Sequence, residues 1–134
     1  MNVSVVILAA GQGTRMKSKL PKVLHEISGK PMLFHAIDAA QKISDDITIV
    51  LFHEASMIEF KIIENYTNIN FHIQDAINFP GTGGAMMGVK TKHEKTLILN
   101  GDMPLVTNKA LHKLINNDSD ITMSVIELDD PSGY

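Results

Sequence analysis

Short apolar runs alternate along the chain with segments in which apolar residues recur every three or four positions. The first run, residues 3–8, is rich in β-branched side chains and ends at Ala-Ala-Gly, so it predicts a buried strand. Similar runs predict further strands at residues 47–52, 69–73, 96–99 and 121–128. Buried strands of this kind need other elements to cover them.

Helical periodicity fills the intervals between the predicted strands. Pro31 suits the first position of a helix, where its missing N–H is not needed, and helical spacing continues after it. The apolar residues at that spacing are Leu33, Ala36, Ile37 and Ala40. Residues 55–66 predict a second helix, and residues 109–115 predict a further one. In the second helix the residues predicted to face inward are Met57, Ile58, Phe60 and Ile62.

The alternation of strand and helix predicts an α/β fold, with a Rossmann-like, mostly parallel sheet and helices on both of its faces. The sequence contains no internal repeat and no linker between domains. In an open sheet of this kind, ligands bind outside the carboxyl ends of the strands. Three unusual loops follow predicted strands, at residues 9–15, 74–84 and 100–102. The fold class therefore predicts that these loops converge on one crevice.

Composition narrows the classes of protein and of site. The 134 residues include no cysteine, which excludes disulfides and thiolate metal sites and is typical of a reducing cytoplasm. The net charge of −3 gives no support for nucleic-acid binding. No apolar run is long enough to span a membrane, and the N-terminus lacks the pattern of a signal peptide. We therefore expect a cytoplasmic protein that binds neither nucleic acid nor membrane.

Positive charge is concentrated after the first strand, although the chain as a whole is acidic. The loop at residues 11–15 combines two glycines, which expose backbone N–H groups, with Arg15, whose guanidinium matches phosphate oxygens. Lys22 follows in a segment stiffened by Pro21. The loop lacks the third glycine of a dinucleotide fingerprint, and the P-loop pattern G-x-x-x-x-G-K-[ST] is also absent. The combined pattern favours anion binding over a plain strand-to-helix turn with solvated lysines.

Two further loops offer polar side chains for the same crevice. Asp102 follows an apolar strand, and a carboxylate there is placed to hold Mg²⁺ together with phosphate oxygens. The alternative is an Asx turn before Pro104. Gln74 follows another strand, and its amide is suited to reading a nucleobase edge, although an exposed loop glutamine is the simpler interpretation. The histidines show no spacing typical of a metal site.

Several motifs together resemble a known family. Leu-Ala-Ala-Gly-Gln-Gly-Thr-Arg-Met at 8–16, followed by Pro-Lys-Val-Leu at 21–24, is similar to the signature of sugar-phosphate nucleotidyltransferases. The later motifs are similar to the N-terminal uridylyltransferase part of the bacterial bifunctional N-acetylglucosamine-1-phosphate uridylyltransferase/glucosamine-1-phosphate acetyltransferase family. These motifs are Gly-Lys-Pro-Met at 29–32, Gly-Thr-Gly at 81–83, Gly-Asp at 101–102 and Asp-Asp-Pro-Ser-Gly-Tyr at 129–134. The resemblance covers essentially the whole chain and implies a nucleotide-diphospho-sugar transferase type of fold.

The resemblance also implies a role for each residue at a matching position. Arg15 and Lys22 would be the catalytic residues that hold the triphosphate, and Asp102 would bind Mg²⁺. The nucleotide-binding residues would be Leu8, Ala9, Ala10, Gly11, Gly13, Lys22, Gln74, Gly81 and Thr82. The residues that bind the sugar phosphate would be Asn100, Gly101 and Gly133. Asn100 stands where an aromatic residue is usual in the family.

The implied reaction is uridylyl transfer from UTP to N-acetylglucosamine 1-phosphate, which gives UDP-N-acetylglucosamine and pyrophosphate for cell-wall precursor synthesis. The resemblance further implies that residues 1–134 are an incomplete N-terminal portion of the nucleotidyltransferase domain. The rest of that domain and the left-handed β-helix acetyltransferase domain, through which full-length members form homotrimers, would be absent. We therefore expect poor activity from this chain alone. The alternatives are another nucleotidyltransferase of the same fold, using CTP or GTP, and a non-catalytic nucleotide-binding module.

Overall fold

A four-stranded parallel sheet organises the computed structural model, which describes residues 2–11 and 18–132. Its strands are β1 (Val3–Leu8), β4 (Ile47–Leu51), β5 (Ile69–Ile73) and β6 (Lys95–Asn100). A separate two-stranded ribbon contains β2 (Glu26–Ile27) and β3 (Lys30–Pro31). The helices of the described residues are α1 (Met32–Gln41), α2 (Ala55–Ile63), α3 (Gly81–Ala85) and α4 (Asn108–Ile115). None of these helices has the length and apolar character needed to cross a bilayer. The first four predicted strands are confirmed to within one residue at each end.

The order of the strands across the sheet is β5-β4-β1-β6, and every neighbouring pair is parallel. β1 lies in the interior of the sheet, with Val5 opposite Ile47 of β4 on one side and Leu97 of β6 on the other. The chain therefore moves outward from β1 to β5 and then returns across the sheet to β6. Right-handed crossovers in the two directions lie on opposite faces, and such a reversal leaves a crevice at the carboxyl ends of the strands.

The main core lies between the sheet and helices α1, α2 and α4. Alternate residues of β1 point to it, and Val3, Val5 and Ile7 are at most 1% exposed. Helix α1 packs there through the face that the periodicity predicts. Its predicted core residues Leu33, Ala36, Ile37 and Ala40 are all buried. Removing these aliphatic side chains from water is the main favourable contribution to the fold.

A smaller core covers the opposite face of the sheet. Val6 of β1 and Val50 of β4 are fully buried there against Ala85 of α3. Met86 and Val89, just beyond the helix, pack on the same cluster. Helices thus lie on both faces, as predicted. Among the helices of the described chain, however, three pack on one face and only the short α3 packs on the other.

No pattern in the sequence predicted the β2–β3 ribbon. Its two-residue turn consists of Ser28 and Gly29, whose φ angles are 54° and 75°, the conformation that a tight hairpin needs. Pro31 ends the ribbon, so α1 begins one residue later than predicted, at Met32. The backbone N–H of Met32 donates to the carbonyl oxygen of His25 at 2.9 Å. The ribbon therefore ties the start of α1 to the segment that precedes it.

The predicted orientation of two residues in α2 is wrong. Met57 and Phe60 were expected to face inward, but they are 42% and 60% exposed. Ile58 and Ile62 form the buried stripe, because residues four apart lie on one face of a helix. Met57 and Phe60 are three residues apart and share a different stripe. The helix also ends at Ile63 rather than at residue 66.

The fifth predicted strand is also wrong. Residues 121–128 form no strand in the structure. Its large apolar side chains Ile121, Met123, Val125 and Ile126 are 73–82% exposed to solvent. A strand requires hydrogen bonds to a neighbouring strand, and no strand of residues 2–11 or 18–132 pairs with this segment. An apolar run rich in β-branched residues is therefore not sufficient to predict a strand when no partner strand is available.

A buried carboxylate joins the amino ends of the strands. Asp46, directly before β4, is 2% exposed. Its Oδ2 accepts hydrogen bonds from Ser4 Oγ in β1 and, at 2.9 Å, from the backbone N–H of Lys92 in the connection to β6. Burial opposes ionisation, but these hydrogen bonds outweigh it and hold the pKa of Asp46 below its ordinary value. The ionised carboxylate therefore stabilises the junction of three strands.

We predict that Asp46→Asn lowers the free energy of unfolding at pH 7 by about 1–3 kcal/mol, because hydrogen bonds to a charged acceptor are lost. Folding lowers the pKa of Asp46, so its contribution is fully present above the unfolded-state pKa of about 3.9 and is lost as the pH falls through the folded-state pKa. Urea unfolding at a series of pH values should show the stabilities of the two proteins converging in acid.

The control for this comparison is Asp45→Asn, because the side chain of Asp45 is adjacent in sequence but 90% exposed. This variant should unfold like the unsubstituted protein at pH 7. A stability difference for Asp46→Asn that stays constant down to pH 2 would contradict the role of its charge.

Candidate functional site

A cavity of about 670 Å³ opens at the carboxyl ends of the strands. It lies where the order of the strands reverses, as the fold class predicts. All three unusual loops contribute to its lining, together with the 3₁₀ turn Lys22–Leu24. The lining residues are Leu8, Ala9, Ala10, Gly11, Lys22, Val23, Phe52, Gln74, Ala76, Pro80, Gly81, Thr82, Ala85, Asn100 and Asp102.

Hydrogen bonds beyond the strand ends hold two of these loops in place. The backbone N–H of Ala9 donates to the carbonyl oxygen of Val50, and that of Gly101 donates to the carbonyl oxygen of Leu8, each at 2.9 Å. Both bonds continue the pairing of the sheet past the ends of its strands. The first residues of each loop are therefore as well fixed as the strands that precede them.

A buried turn places Lys22. In the 3₁₀ turn Lys22–Leu24, the side chains of Val23 and Leu24 are buried in the main core. The backbone N–H of Leu24 donates to the carbonyl oxygen of Pro21 at 2.9 Å. These contacts fix the backbone of Lys22, while its side chain lines the cavity and stays partly exposed.

Gly101 lets β6 approach β1 closely and so sets the position of Asp102. A Cβ atom at residue 101 would lie 3.1 Å from the carbonyl oxygen of Leu8 and 3.1 Å from Cδ1 of Leu33. Gly101 is buried and does not itself line the cavity. Asp102 is the next residue in the same turn, and it does line the cavity. In the structure, Gly101 therefore contributes close packing beneath the site.

Lys22 and Asp102 form an ion pair at the cavity. Nζ of Lys22 donates to Oδ2 of Asp102 at 2.8 Å, a distance typical of a charge-assisted hydrogen bond. The two side chains are 42% and 36% exposed. They are the charged side chains among the described lining residues. The predicted phosphate ligand and the predicted metal ligand are therefore in direct contact.

Gln74 is a buried residue of the cavity wall rather than an exposed loop residue. It is 7% exposed, and its backbone N–H donates to the carbonyl oxygen of Leu51 at 2.8 Å. Its side-chain Nε2 donates to the carbonyl oxygens of Phe79 and Gly81, at 3.0 and 3.1 Å. Because these bonds use both hydrogens of the amide, Oε1 remains as a hydrogen-bond acceptor.

Internal contacts close the loop that follows Gln74. Asp75 accepts hydrogen bonds from the side chain and the backbone of Asn78, at 2.8 and 3.2 Å, and they lower the pKa of Asp75. The backbone N–H of Phe79 donates to the carbonyl oxygen of Asp75 at 2.8 Å. A Cβ atom at Gly84 of α3 would lie only 2.0 Å from the carbonyl oxygen of Phe79. The loop therefore reaches α3 in this way only when residue 84 is glycine.

Most of the residues predicted to bind ligands surround the one cavity. They are Leu8, Ala9, Ala10, Gly11, Lys22, Gln74, Gly81, Thr82, Asn100 and Asp102. Gly101 differs, because it lies beneath the cavity surface. Gly13, Arg15 and Gly133 lie outside the described residues, so their roles stay predictions.

The structure adds lining residues to which the sequence patterns assigned no binding role. They are Val23, Phe52, Ala76, Pro80 and Ala85. Phe52 directly follows β4, so the rule that ligands bind beyond the carboxyl ends of parallel strands could have selected it. The other side chains are small or apolar and carry no chemical signal in the sequence.

The metal-binding capacity of the cavity rests on one carboxylate. Over the described ranges, no group of three or more metal-binding side chains is arranged to hold an ion. A single carboxylate still fits Mg²⁺, which takes one or two carboxylates and completes its shell with water and substrate phosphates. Binding of such a cation at Asp102 would therefore depend on a ligand that carries phosphate.

The chain is similar to bifunctional bacterial proteins. It is 67% identical over 134 residues to Bifunctional protein GlmU of a Sulfurovum species. It is 57% identical over 134 residues to Bifunctional protein GlmU of a Nitratiruptor species. Each alignment covers 100% of this chain but 31% of the relative. The chain thus spans about a third of the length of these curated relatives, and the resemblance predicted from the motifs is confirmed.

A family model described as the MobA-like NTP transferase domain matches residues 5–130. The chain belongs to this family. The match includes the loops at residues 9–15, 74–84 and 100–102, each of which contributes described residues to the cavity lining. The cavity is therefore part of an NTP transferase domain.

Solved structures share the fold. A nucleotidyl transferase from Methanothermobacter thermautotroptrophicus aligns with a TM-score of 0.70 at 20% identity, over 84% of this chain and 56% of that chain. HddC from Yersinia pseudotuberculosis, complexed with GMP-PN, aligns with a TM-score of 0.66 at 28% identity, over 87% of this chain and 55% of that chain. Rv0371c from Mycobacterium tuberculosis, complexed with manganese, aligns with a TM-score of 0.61 at 22% identity, over 86% of this chain and 58% of that chain. The predicted nucleotide-diphospho-sugar transferase type of fold is confirmed.

We predict that Gly84→Ala lowers the free energy of unfolding by about 1–3 kcal/mol, because the new methyl group would collide with the carbonyl oxygen of Phe79. Gly83→Ala is the matched control, since Gly83 lies in the same helix and a Cβ atom there meets nothing within 4 Å. The control should be as stable as the unsubstituted protein or slightly more so. Urea unfolding measures both variants, and equal midpoints would contradict the close contact between α3 and the loop.

Proposed function

We propose that this chain forms the nucleotide-binding portion of a uridylyltransferase that joins UTP to N-acetylglucosamine 1-phosphate. The observation that carries the proposal is the cavity. Side chains suited to an anion, a metal ion and a nucleobase line it together, in a chain 67% identical to a protein named Bifunctional protein GlmU. The identities of the sugar phosphate and of the product, UDP-N-acetylglucosamine, follow from that resemblance.

The state of the Gln74 amide supports uracil as the base. With both amide hydrogens bonded to the carbonyl oxygens of Phe79 and Gly81, the remaining group of the amide is the acceptor Oε1. The N3–H of uracil is a donor, whereas N3 of cytosine is an acceptor. An acceptor fixed next to N3 of the base would therefore favour uracil over cytosine at that position. Residues 8–11 line the same cavity and would contact the uracil and the ribose.

The triphosphate would bind to the basic side of the cavity. Lys22 lines the cavity and presents an ammonium group, and Arg15 follows the same glycine loop in the sequence. The loop glycines Gly11 and Gly13 let backbone N–H groups approach phosphate oxygens. Gly81 and Thr82 line the same cavity.

Mg²⁺ is the cation that the donor set fits best, with Asp102 as its protein ligand and phosphate oxygens as the others. When bound, it would neutralise charge on the phosphates of the nucleotide. Asp102 acts in this scheme only as an oxygen ligand. Because Asp102 pairs with Lys22, a cation bound by Asp102 would lie beside a triphosphate bound by Lys22.

The proposed reaction needs no base from the protein. The sugar phosphate is largely dianionic at neutral pH, since its second pKa is about 6, so one of its oxygens is already a nucleophile. That oxygen attacks the α-phosphorus of UTP. The bond from the α-phosphorus to the oxygen that bridges to the β-phosphorus breaks, and pyrophosphate leaves with the electron pair. Arg15 and Lys22 contribute by positioning the phosphates and neutralising their charge.

Calorimetric titration with UTP, CTP and GTP, each with Mg²⁺, tests the proposal. We expect UTP to bind most tightly. Tighter binding of CTP or GTP would indicate another nucleotidyltransferase of the same fold. Since poor transfer is expected from this chain alone, the discriminating result is UTP binding without transfer to N-acetylglucosamine 1-phosphate by a version extended through the rest of the domain, which would favour a non-catalytic nucleotide-binding module. Failure of all three nucleotides to bind would contradict a nucleotide site.

We predict that Asp102→Asn removes most of the enhancement that Mg²⁺ gives to UTP binding, because the variant lacks the carboxylate ligand. The measurement is the dissociation constant of UTP with and without Mg²⁺. Asp38→Asn is the matched control, since Asp38 also pairs with a lysine and is similarly exposed, at 37%, but does not line the cavity. An Mg²⁺ effect that survives in Asp102→Asn would show that Asp102 is only a turn residue.

We also predict that Arg15→Ala weakens UTP binding by about 1.5–3 kcal/mol, the contribution of a charge-assisted contact to phosphate. Uridine, which has no phosphate, should bind both proteins equally. Lys19→Ala controls for the loss of one positive charge nearby, because Lys19 is exposed and does not line the cavity. Equal weakening of UTP and uridine by Arg15→Ala would assign Arg15 a structural role instead.

A further inference from the structure

We propose that the Lys22–Asp102 ion pair is an internal competitor of the divalent cation, so that metal loading is coupled to the arrival of a nucleotide. The inference rests on the proposed function, in which Asp102 is the metal ligand and Lys22 is a phosphate ligand. In the absence of ligand, the ammonium of Lys22 and the carboxylate of Asp102 are bound to each other. Neither the fold nor the reaction requires this arrangement.

The contact between the two groups is direct. Nζ of Lys22 lies 2.8 Å from Oδ2 of Asp102, so the ammonium occupies a position where a cation would bind that oxygen. A cation bound through the other carboxylate oxygen would still lie within a few ångströms of the ammonium and would be repelled by it. Cation binding at Asp102 is therefore opposed as long as Lys22 stays in place.

A nucleotide offers the ammonium a second partner. The backbone of Lys22 is held by its buried neighbours Val23 and Leu24, but its four-carbon side chain can turn within the cavity. Moving the ammonium onto a phosphate frees Oδ2 of Asp102 for the cation. Binding of phosphate by Lys22 therefore favours binding of the cation by Asp102. Binding of the cation must favour binding of phosphate by the same factor.

The chain contains a second ion pair that serves as a comparison. Nζ of Lys30 in β3 donates to Oδ2 of Asp38 in α1, and the two side chains are 40% and 37% exposed, close to the values for Lys22 and Asp102. Neither Lys30 nor Asp38 lines the cavity. Replacing either lysine by a neutral residue therefore changes the net charge by the same amount. Only the replacement of Lys22 leaves a carboxylate of the cavity without its lysine partner.

The test is a titration of the nucleotide-free chain with Mn²⁺, followed by paramagnetic broadening of the backbone amide signals of Gly101 and Asp102. Lys22→Met should lower the Mn²⁺ concentration that gives half-maximal broadening by about threefold to tenfold, because a half-exposed ion pair and a nearby positive charge are removed together. Lys30→Met should leave it unchanged. The same Lys22→Met protein should bind UTP more weakly, so the two affinities move in opposite directions.

Three results would overturn the proposal. Lys22→Met could need as much Mn²⁺ as the unsubstituted chain, or more. Lys30→Met could produce the same gain, which would indicate a general charge effect. Lys22→Gln, which keeps a polar side chain and guards against misfolding of the methionine variant, could fail to reproduce the gain. Failure of the proposed function is separate, since it would appear as absent UTP binding by the unsubstituted chain whatever the Mn²⁺ titrations show.

Discussion

The close approach of β6 to β1 at their carboxyl ends is the contact on which the candidate site depends. The backbone N–H of Gly101 bonds to the carbonyl oxygen of Leu8, and a Cβ atom at residue 101 would be crowded, at 3.1 Å from that oxygen. Through this contact the loop after the first strand and the loop after the last strand share one wall. Asp102 is then within reach of Lys22, although 80 residues separate the two in sequence.

The other half of the site depends on a different close contact. The carbonyl oxygen of Phe79 lies against Gly84, so the loop after β5 can fold back onto α3. Gln74 holds that loop from within, through its amide nitrogen. In this segment Gly84 therefore permits close packing, while Gly81 lines the cavity. The glycines near the site do not all line the cavity, since Gly101 and Gly84 pack against neighbouring backbone instead.

Much of the fold followed from local patterns, because parallel strands buried on both faces form apolar runs and the face of α1 keeps strict helical spacing. The convergence of the three loops also followed, because it is a property of the topology and needs no knowledge of side-chain positions. Predictions from periodicity were wrong where the apolar residues pack against no neighbouring element. Residues 121–128 are apolar without a neighbouring strand, and Phe60 of α2 is apolar on an exposed face. The pairing of Lys22 with Asp102 was beyond prediction, because it depends on side-chain placement across long sequence separations.

The polar junction around Asp46 lies at the opposite end of the sheet from the cavity. At the amino ends of the strands, Ser4, Asp46 and the backbone of Lys92 bond to one another, so a substitution at Asp46 acts on folding. At the carboxyl ends, groups such as Oε1 of Gln74 are left for a ligand, so a substitution there can alter recognition while the sheet stays intact. The polar junction that stabilises the strands and the candidate ligand contacts thus lie at opposite ends of the same sheet. A domain built in this way can acquire a new substrate through its loops without rebuilding its core.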